Sequence, residues 1–347
     1  MVRVIGIDPG TKSFDICGLD DDRVILDISI STRNIAADPG LLSNLILESG
    51  ADYVTGPSGF GLPVTGIKDI GDRELFLMSL VKKDETKSIL GMRASIDHMR
   101  KKGLNVYFIP GVIHFPTVPG YRKLNKIDMG TADKVCCAAL GILDMAERRN
   151  LEYNETSFIL LEMGFGYTAA IAVKNGKIVD GVGGSTGNIG FLSLGGMDSE
   201  LAYLLGGFKK ELTFRGGVEM LAGTPENLME NQDALNAYLE GAIKDVLQLT
   251  SSVEPEEILL SGRISRVKGL FGELEKRLHA APVRRLEGFN VRNVKEAAQG
   301  AALIANGLAG GMFSELTDVM QIRKAEGTSL DHILLPEIGA LKKKYGI

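Results

Sequence analysis

The sequence predicts an α/β protein made of two similar halves, and three observations carry that expectation. The chain has 347 residues, where one domain usually takes roughly 100–200, so two domains are expected. Short apolar runs ending in Gly, Pro or Asp bends alternate with segments whose apolar residues recur every three or four positions, the pattern of strands interleaved with helices. One phrase also occurs twice: "VIGIDPGTKSF" (4–14) and "FILLEMGFGYT" (158–168) are apolar runs that stop at a carboxylate, with glycine two places later.

Asp8 and Glu162 stand 154 positions apart, and the same offset brings Gly10 onto Gly164. "DICGLDDDRVILD" (15–27) and "AAIAVKNGKIVD" (169–180) then match as strand, polar turn, strand, with one residue of slippage near the end. The "KNG" turn (174–176) is a strong hairpin signal. Chance recurrence of apolar strands and glycine turns is the plainer explanation, yet carboxylate, glycine, bend and second strand all recur in register.

The remaining elements follow in order. "DPGLLSNLILES" (38–49) has helical spacing, and "ADYVTGPSGFGLP" (51–63) reads as a strand running into a Gly/Pro loop. Residues 73–103 carry helical periodicity with Gly103 as the stop, and "NVYFIPGVIHF" (105–115) is a further strand. "DMGTADKVCCAALGILDMAERR" (128–149) is a helix crossing from the first domain (1–127) to the second (128–347), with Asp128 a candidate N-cap. "EEILLSGRISRVKGLFGELEKRL" (256–278) reads as strand, Ser-Gly turn, helix, and "NVKEAAQGAALIANGLAGG" (293–311) as a small-residue helix suited to close packing. Asp198 caps the helix that begins at "SELAYLL".

Composition removes several classes of function. A content of 44% hydrophobic and 24% charged residues is that of a soluble protein with a sizeable core. The net charge of −5, with no basic stretch interleaved with aromatics, argues against nucleic acid. The longest apolar run, "VCCAALGIL" (135–143), is far short of the roughly 20 residues a bilayer requires, and the N-terminus carries no signal pattern, so no membrane is expected and the location is cytoplasmic. Three cysteines and four scattered histidines give no transition-metal spacing, which leaves room only for an oxygen-bound ion such as Mg²⁺.

The chemistry explains the repeated phrase. A glycine bend lets backbone N–H groups approach a polyphosphate, hydroxyls such as Thr11, Ser13 and Thr168 donate to it, and a carboxylate at the strand end holds the Mg²⁺ that touches it. "GIDPGTKSFD" and "LLEMGFGYTAA" resemble the two phosphate motifs of the superfamily of acetate kinase, sugar kinases, heat-shock cognate ATPases and actin (ASKHA). Within it, the whole chain resembles most an archaeal family of predicted butyrate kinases, although Glu162 stands where Asp is usual. The resemblance implies two actin-like (ribonuclease H-like) domains with ATP and Mg²⁺ in the cleft between them. Asp8 and Glu162 would hold the metal; Gly10, Thr11, Lys12 and Ser13, with Gly164, Gly166, Tyr167 and Thr168, would cradle the phosphates. Ser261, Gly262 and Arg263 would lie beside the adenosine, and Gly300 where the second connecting helix crosses the first. Asp133, in "GTADK", resembles the proton-accepting Asp of sugar kinases and one class of pantothenate kinases.

Other motifs weigh less. "GPSGFGLP" (56–63) lacks the lysine of a P-loop and is either a turn or a substrate loop through Ser58 and Gly59. "DGVGGSTGNIG" (180–190) lacks the helix of a dinucleotide fingerprint and reads as a loop over the cleft. The expected activity is transfer of a phosphoryl group from ATP to a small-molecule acceptor, with Lys12 stabilising the developing charge. A short-chain carboxylate is already ionised and needs a cation such as Arg122 or His114; an alcohol needs a base such as Asp133. The resemblance favours the carboxylate, with an alcohol kinase or a non-kinase ATP-driven switch as the alternatives. The tail "SLDHILLPEIGALKKKYGI" (329–347) docks either on its own domain or on a neighbour, as in a homodimer.

Overall fold

A computed structural model describes residues 2–10, 12–82, 85 and 90–347. The first lobe is a six-stranded sheet of β1 (Arg3–Pro9), β2 (Ser13–Asp20), β3 (Arg23–Ser31), β4 (Tyr53–Thr55), β5 (Thr65–Gly66) and β6 (Val106–Phe108), in the order β3-β2-β1-β4-β6-β5. The second contains β7 (Phe158–Met163), β8 (Thr168–Lys174), β9 (Lys177–Val182), β10 (Glu257–Ser261) and β11 (Val283–Arg285), in the order β9-β8-β7-β10-β11. The first five positions of the two sheets therefore share one topology, an antiparallel meander followed by parallel strands.

The repeat extends to single residues. A bulge interrupts the β2–β3 ladder between Gly18 and Leu19, and another interrupts β8–β9 between Ala172 and Val173, at the same offset of 154. The expected one-residue slippage is thereby corrected: each hairpin carries its extra residue at the same place, so the offset is kept through the turn.

Two long helices knit the lobes. Helix Ala132–Arg149 follows the first sheet but packs on the second, where a Cβ on its Gly141 would come within 2.8 Å of the Phe158 ring of β7. Helix Glu296–Leu308 follows the second sheet but packs on the first, and a Cβ on Gly6 of β1 would lie 2.1 Å from Ala302 N. They cross at Gly300, whose Cβ would fall 1.8 Å from the Cys136 carbonyl. Their apolar faces join the inner faces of both sheets in one core that includes Val4, Ala138, Leu160, Ile171, Ala301 and Leu303. Each sheet has its own core on the outer face, around Leu42 and Ile96 in the first lobe and Tyr238 and Leu239 in the second.

Some boundaries differ from expectation. The first connecting helix starts at Ala132 with Thr131 as N-cap, so Asp128 is not the cap. Its carboxylate instead accepts hydrogen bonds from Gly130 N, Ser185 N and Ser185 Oγ. Strands β5 and β11 go beyond expectation, because "TG" and "VRR" carry no apolar run to mark them. Asp198 does cap helix Ser199–Leu205 through Glu200 N and Leu201 N. The tail docks on the first lobe of its own chain and not on the second domain from which it extends: Tyr345 stacks on Phe76 with ring centroids 3.5 Å apart, and Leu330 and Tyr345 join the outer core of the first sheet. Among the described residues no helix is long and apolar enough to cross a membrane.

Candidate active site

The glycine bends owe their residue type to close approach. A Cβ on Gly10 would sit 2.9 Å from Ser13 O, and one on Gly164 would sit 2.8 Å from Tyr167 O, contacts no side chain tolerates. The bends bring Asp8 and Glu162 to one cavity of 120 Å³ between the lobes, which Gly10, Lys12, Ser13, Gly164, Gly166 and Tyr167 also line. Gly262 and Arg263 complete its wall from the end of β10. Gly262 has φ +86°, and a Cβ there would meet Glu162 Oε1 at 2.5 Å. Phe165 forms the floor under two cations, with Lys12 Nζ 3.7 Å and the Arg263 guanidinium 5.7 Å from its ring centroid.

Each acid faces a lysine from the start of a connecting helix. Lys295 Nζ lies 3.2 Å from Asp8 Oδ2 and 2.9 Å from Asp15 Oδ2. Lys134 Nζ lies 2.6 Å from Asp133 Oδ2 and 3.2 Å from Glu162 Oε2. Burial raises the pKa of Asp8 and of Glu162, with neighbouring carboxylates adding to the shift and the lysines opposing it. Asp133 goes the other way: although burial pushes it up, Lys134 and the Thr131 hydroxyl that donates to it hold it below the usual range. Both lysines are held above the ordinary ammonium value by these acids, against the effect of burial.

A second cavity, of 270 Å³, adjoins the first, and Asp8, Gly10, Asp133, Lys134 and Tyr167 border both. Its walls are mostly apolar, from Ile7, Phe60, Met78, Ile109 and Phe214. Ser58 and Gly59 lie on it, but the Ser58 hydroxyl is engaged, donating to Gly56 O and accepting from Ile109 N. Gly184 and Ser185 of the 180–190 loop also line it.

Several candidates do not reach either cavity. Arg122 turns to the edge of the second sheet, where it donates to Val179 O at 2.8 Å and lies 3.5 Å from Asp180. His114 is buried against Gly111 and pushed down to about 4, so it is neutral at pH 7 and offers no cation. Thr168 Oγ1 donates to the Tyr238 hydroxyl inside the second core, and Ser261 is fully buried with no partner for its hydroxyl among the described residues. Ser13 is at the cavity, but its hydroxyl donates to Asp15. Thr11 lies outside the described residues.

The structure adds residues that the sequence reading passed over: Asp15, Lys134, Lys210 and Lys295. The two cluster lysines had a usable signal, since each stands at a helix N-terminus, where the dipole disfavours a cation unless acids hold it. Asp15 had none beyond being an acid inside a strand; it is fully buried and takes hydrogen bonds from Ser13, Ser29 and Lys295 N.

The residues suit a magnesium ion. Four carboxylates, Asp8, Asp15, Asp133 and Glu162, face two ammonium groups, so a divalent cation would balance the cluster. Glu162 Oε2 is buried and meets the Lys134 ammonium at 3.2 Å without an aligned hydrogen bond. A magnesium ion is typically held by one or two carboxylates together with water and phosphate oxygens. Cys136 and Cys137 are buried, with their thiols pushed well above the ordinary value by burial and nearby acids, a poor start for an iron–sulfur cluster.

The profile of a family described as "Protein of unknown function (DUF1464)" matches residues 6–335. The chain belongs to that family. No curated protein matches the sequence. Among solved structures this family member is similar to an acetate kinase from Entamoeba histolytica, with 12% identity, 79% of this chain and 86% of that chain covered, and a TM-score of 0.58. It is also similar to the Porphyromonas gingivalis acetate kinase (13%, 87% and 98%, 0.59) and to a propionate kinase from Francisella tularensis subsp. tularensis SCHU S4 (12%, 86% and 99%, 0.57). At these identities the likeness concerns the fold. The family member has the two-lobed actin-like α/β architecture of those structures.

Proposed function

We propose that the protein is an ATP-dependent phosphotransferase that acts on the hydroxyl of a small molecule. The observation that carries this is the shared border of the two cavities: twin glycine bends and their acids enclose the smaller one, and Asp133 stands where it opens into the larger, apolar one. The triphosphate would lie along Gly10–Ser13 and Gly164–Tyr167, with Lys12 beside the transferring group and Arg263 toward the adenosine. Asp8 and Glu162 would hold Mg²⁺, which supplies charge neutralisation when bound. Asp133 is kept ionised by Lys134, so it can orient an acceptor O–H and take its proton. Closure of the lobes around the crossing helices would exclude water and align the acceptor.

The carboxylate-acceptor reading, a butyrate kinase-like activity, keeps one supporting feature. Lys134 sits at the border, where it could draw a second anion toward the phosphates, and the adjoining wall is apolar. The cations first assigned to that task, Arg122 and His114, lie elsewhere.

Asp133→Asn separates the two. The hydroxyl reading expects kcat to fall by about 10²–10⁴, with Mg-nucleotide binding retained in a thermal-shift titration; unchanged turnover sinks it in favour of the carboxylate. Mg-ATP at 100 times its Kd should stabilise the wild-type protein by about 2.7 kcal/mol. The absence of a shift with every Mg-nucleotide would dismiss the phosphotransferase altogether.

A further inference from the structure

We propose that the acceptor is a hydroxy acid and that Lys210 holds its carboxylate; this rests on the phosphotransferase reading above. The larger cavity has two polar ends. One is Asp133 with Lys134, shared with the phosphate cavity. The other is Lys210, which borders instead a surface groove formed with Leu80, Lys82 and Gly207. Lys210 opens the short helical turn Lys210–Phe214 of the second lobe, and its backbone N–H donates to Glu85 of the first lobe at 2.7 Å, so the turn roofs the cavity.

The side chain of Lys210 differs from Lys134 and Lys295 and resembles Lys12, whose ammonium also rests over a ring. Lys134 and Lys295 each touch two carboxylates. Among the described residues no carboxylate pairs with Lys210 Nζ, which rests 4.8 Å from the Phe60 ring centroid. Burial lowers its pKa; Asp128 and Glu85 oppose this from a distance, and Asp128 is already engaged by Gly130 and Ser185. A partly desolvated ammonium without a counter-ion is costly, and an anionic ligand group would relieve it. Phe60, Met78 and Phe214 give the same cavity its apolar wall. The matching ligand has a short apolar body, a hydroxyl at the Asp133 end and a carboxylate at the Lys210 end. In the transfer, the hydroxyl oxygen bonds to the γ-phosphorus as the bond to the β–γ bridging oxygen breaks. The proton passes to Asp133, and ADP and a phosphorylated acid leave.

The experiment compares short ω-hydroxy acids, from 3-hydroxypropionate upward, with their primary amides and with the unsubstituted fatty acids as acceptors for full-length protein and Mg-ATP. The acids should exceed their amides by roughly 10- to 100-fold in kcat/KM, the worth of a charge-assisted contact. Lys210→Met should remove that preference by raising KM for the acids, and Lys210→Arg should keep most of it. Amides turned over as well as acids, a preference that survives Lys210→Met, or fatty acids used best would each overturn the assignment while leaving the phosphotransferase intact. If no acceptor of the panel turns over, the melting point of the nucleotide-bound protein decides: stabilisation by acids alone, lost in Lys210→Met, upholds the assignment, and its absence overturns it. Failure of Mg-nucleotide binding would instead strike the underlying reading.

Discussion

In the first lobe Asp8 ends β1 beside a second buried acid, Asp15, and Lys295 bridges both. In the second lobe the position equivalent to Asp15 is Ala169, and Glu162 shares its lysine, Lys134, with an acid from a different element, Asp133. The backbones correspond residue for residue, down to the bulge and the glycine contact with the third residue onward. The charges do not. The first hairpin supplies its whole acid pair, whereas the second borrows half of its pair from the helix that crosses the lobes. That asymmetry puts an acid held by Lys134 and Thr131, Asp133, on the border of the two cavities, and Ala169 leaves no second hairpin acid to compete for Lys134.

A second contrast concerns how each lobe grips the segment leading into the opposite connecting helix. Asp27 of β3 accepts backbone hydrogen bonds from Arg292, Asn293 and Val294, just ahead of Lys295. At the equivalent position β9 has Gly181, and a Cβ there would stand 2.0 Å from Met129 O, just ahead of Asp133 and Lys134. One lobe uses a carboxylate as a clamp and the other uses contact too close for any side chain.

The largest effect should come from breaking the borrowed pair. Lys134→Met strands Asp133 and Glu162 together in a buried site and should cost about 3–5 kcal/mol in urea unfolding. Lys295→Met should cost less, because its side chain is 28% exposed against 13% for Lys134. Equal losses would show that the two hairpins are electrostatically alike. Next, Gly181→Ala forces Met129 to move and should cost about 1–3 kcal/mol as overpacking; a neutral result would mean that the approach is not tight. Asp27→Ala removes the opposing clamp and should cost about 1 kcal/mol, read as a lower urea midpoint with faster amide exchange at Arg292–Val294.

The smallest effect is a pH signature. Glu162 has a raised pKa in the folded protein, so the stability it contributes is complete below its ordinary value of 4.5 and is lost as pH rises through the folded-state value. Without Mg-nucleotide, wild-type midpoints should therefore decline relative to Glu162→Gln as pH climbs from 4.5. Parallel curves for the two proteins would mean that burial does not burden this acid.

Much of the architecture is legible in the chain because it is local or repeated. The offset of 154 aligns Asp8 with Glu162 and Gly10 with Gly164, and it carries through two hairpins, since strand alternation and turn chemistry are written in neighbouring residues. Helical spacing located both connecting helices within a few residues, and the family resemblance put Gly300 at their crossing. The strands β5 and β11 escaped, since "TG" and "VRR" lack the apolar run that marked the similarly short β4 and β6.

What the sequence determined by itself is the twofold plan and the two acids beside the glycine bends, Asp8 and Glu162, because each bend and its carboxylate are contiguous. Tertiary structure alone decided which groups keep company with them. Lys134 and Lys295 reach the acids because each connecting helix packs on the other lobe's sheet. Lys210 reaches the pocket because its turn leans on Glu85 of the first lobe, and Arg122 and His114 leave the cleft because backbone partners elsewhere claim them. Partnerships across hundreds of residues depend on how helices cross and lobes meet, and no local pattern encodes that.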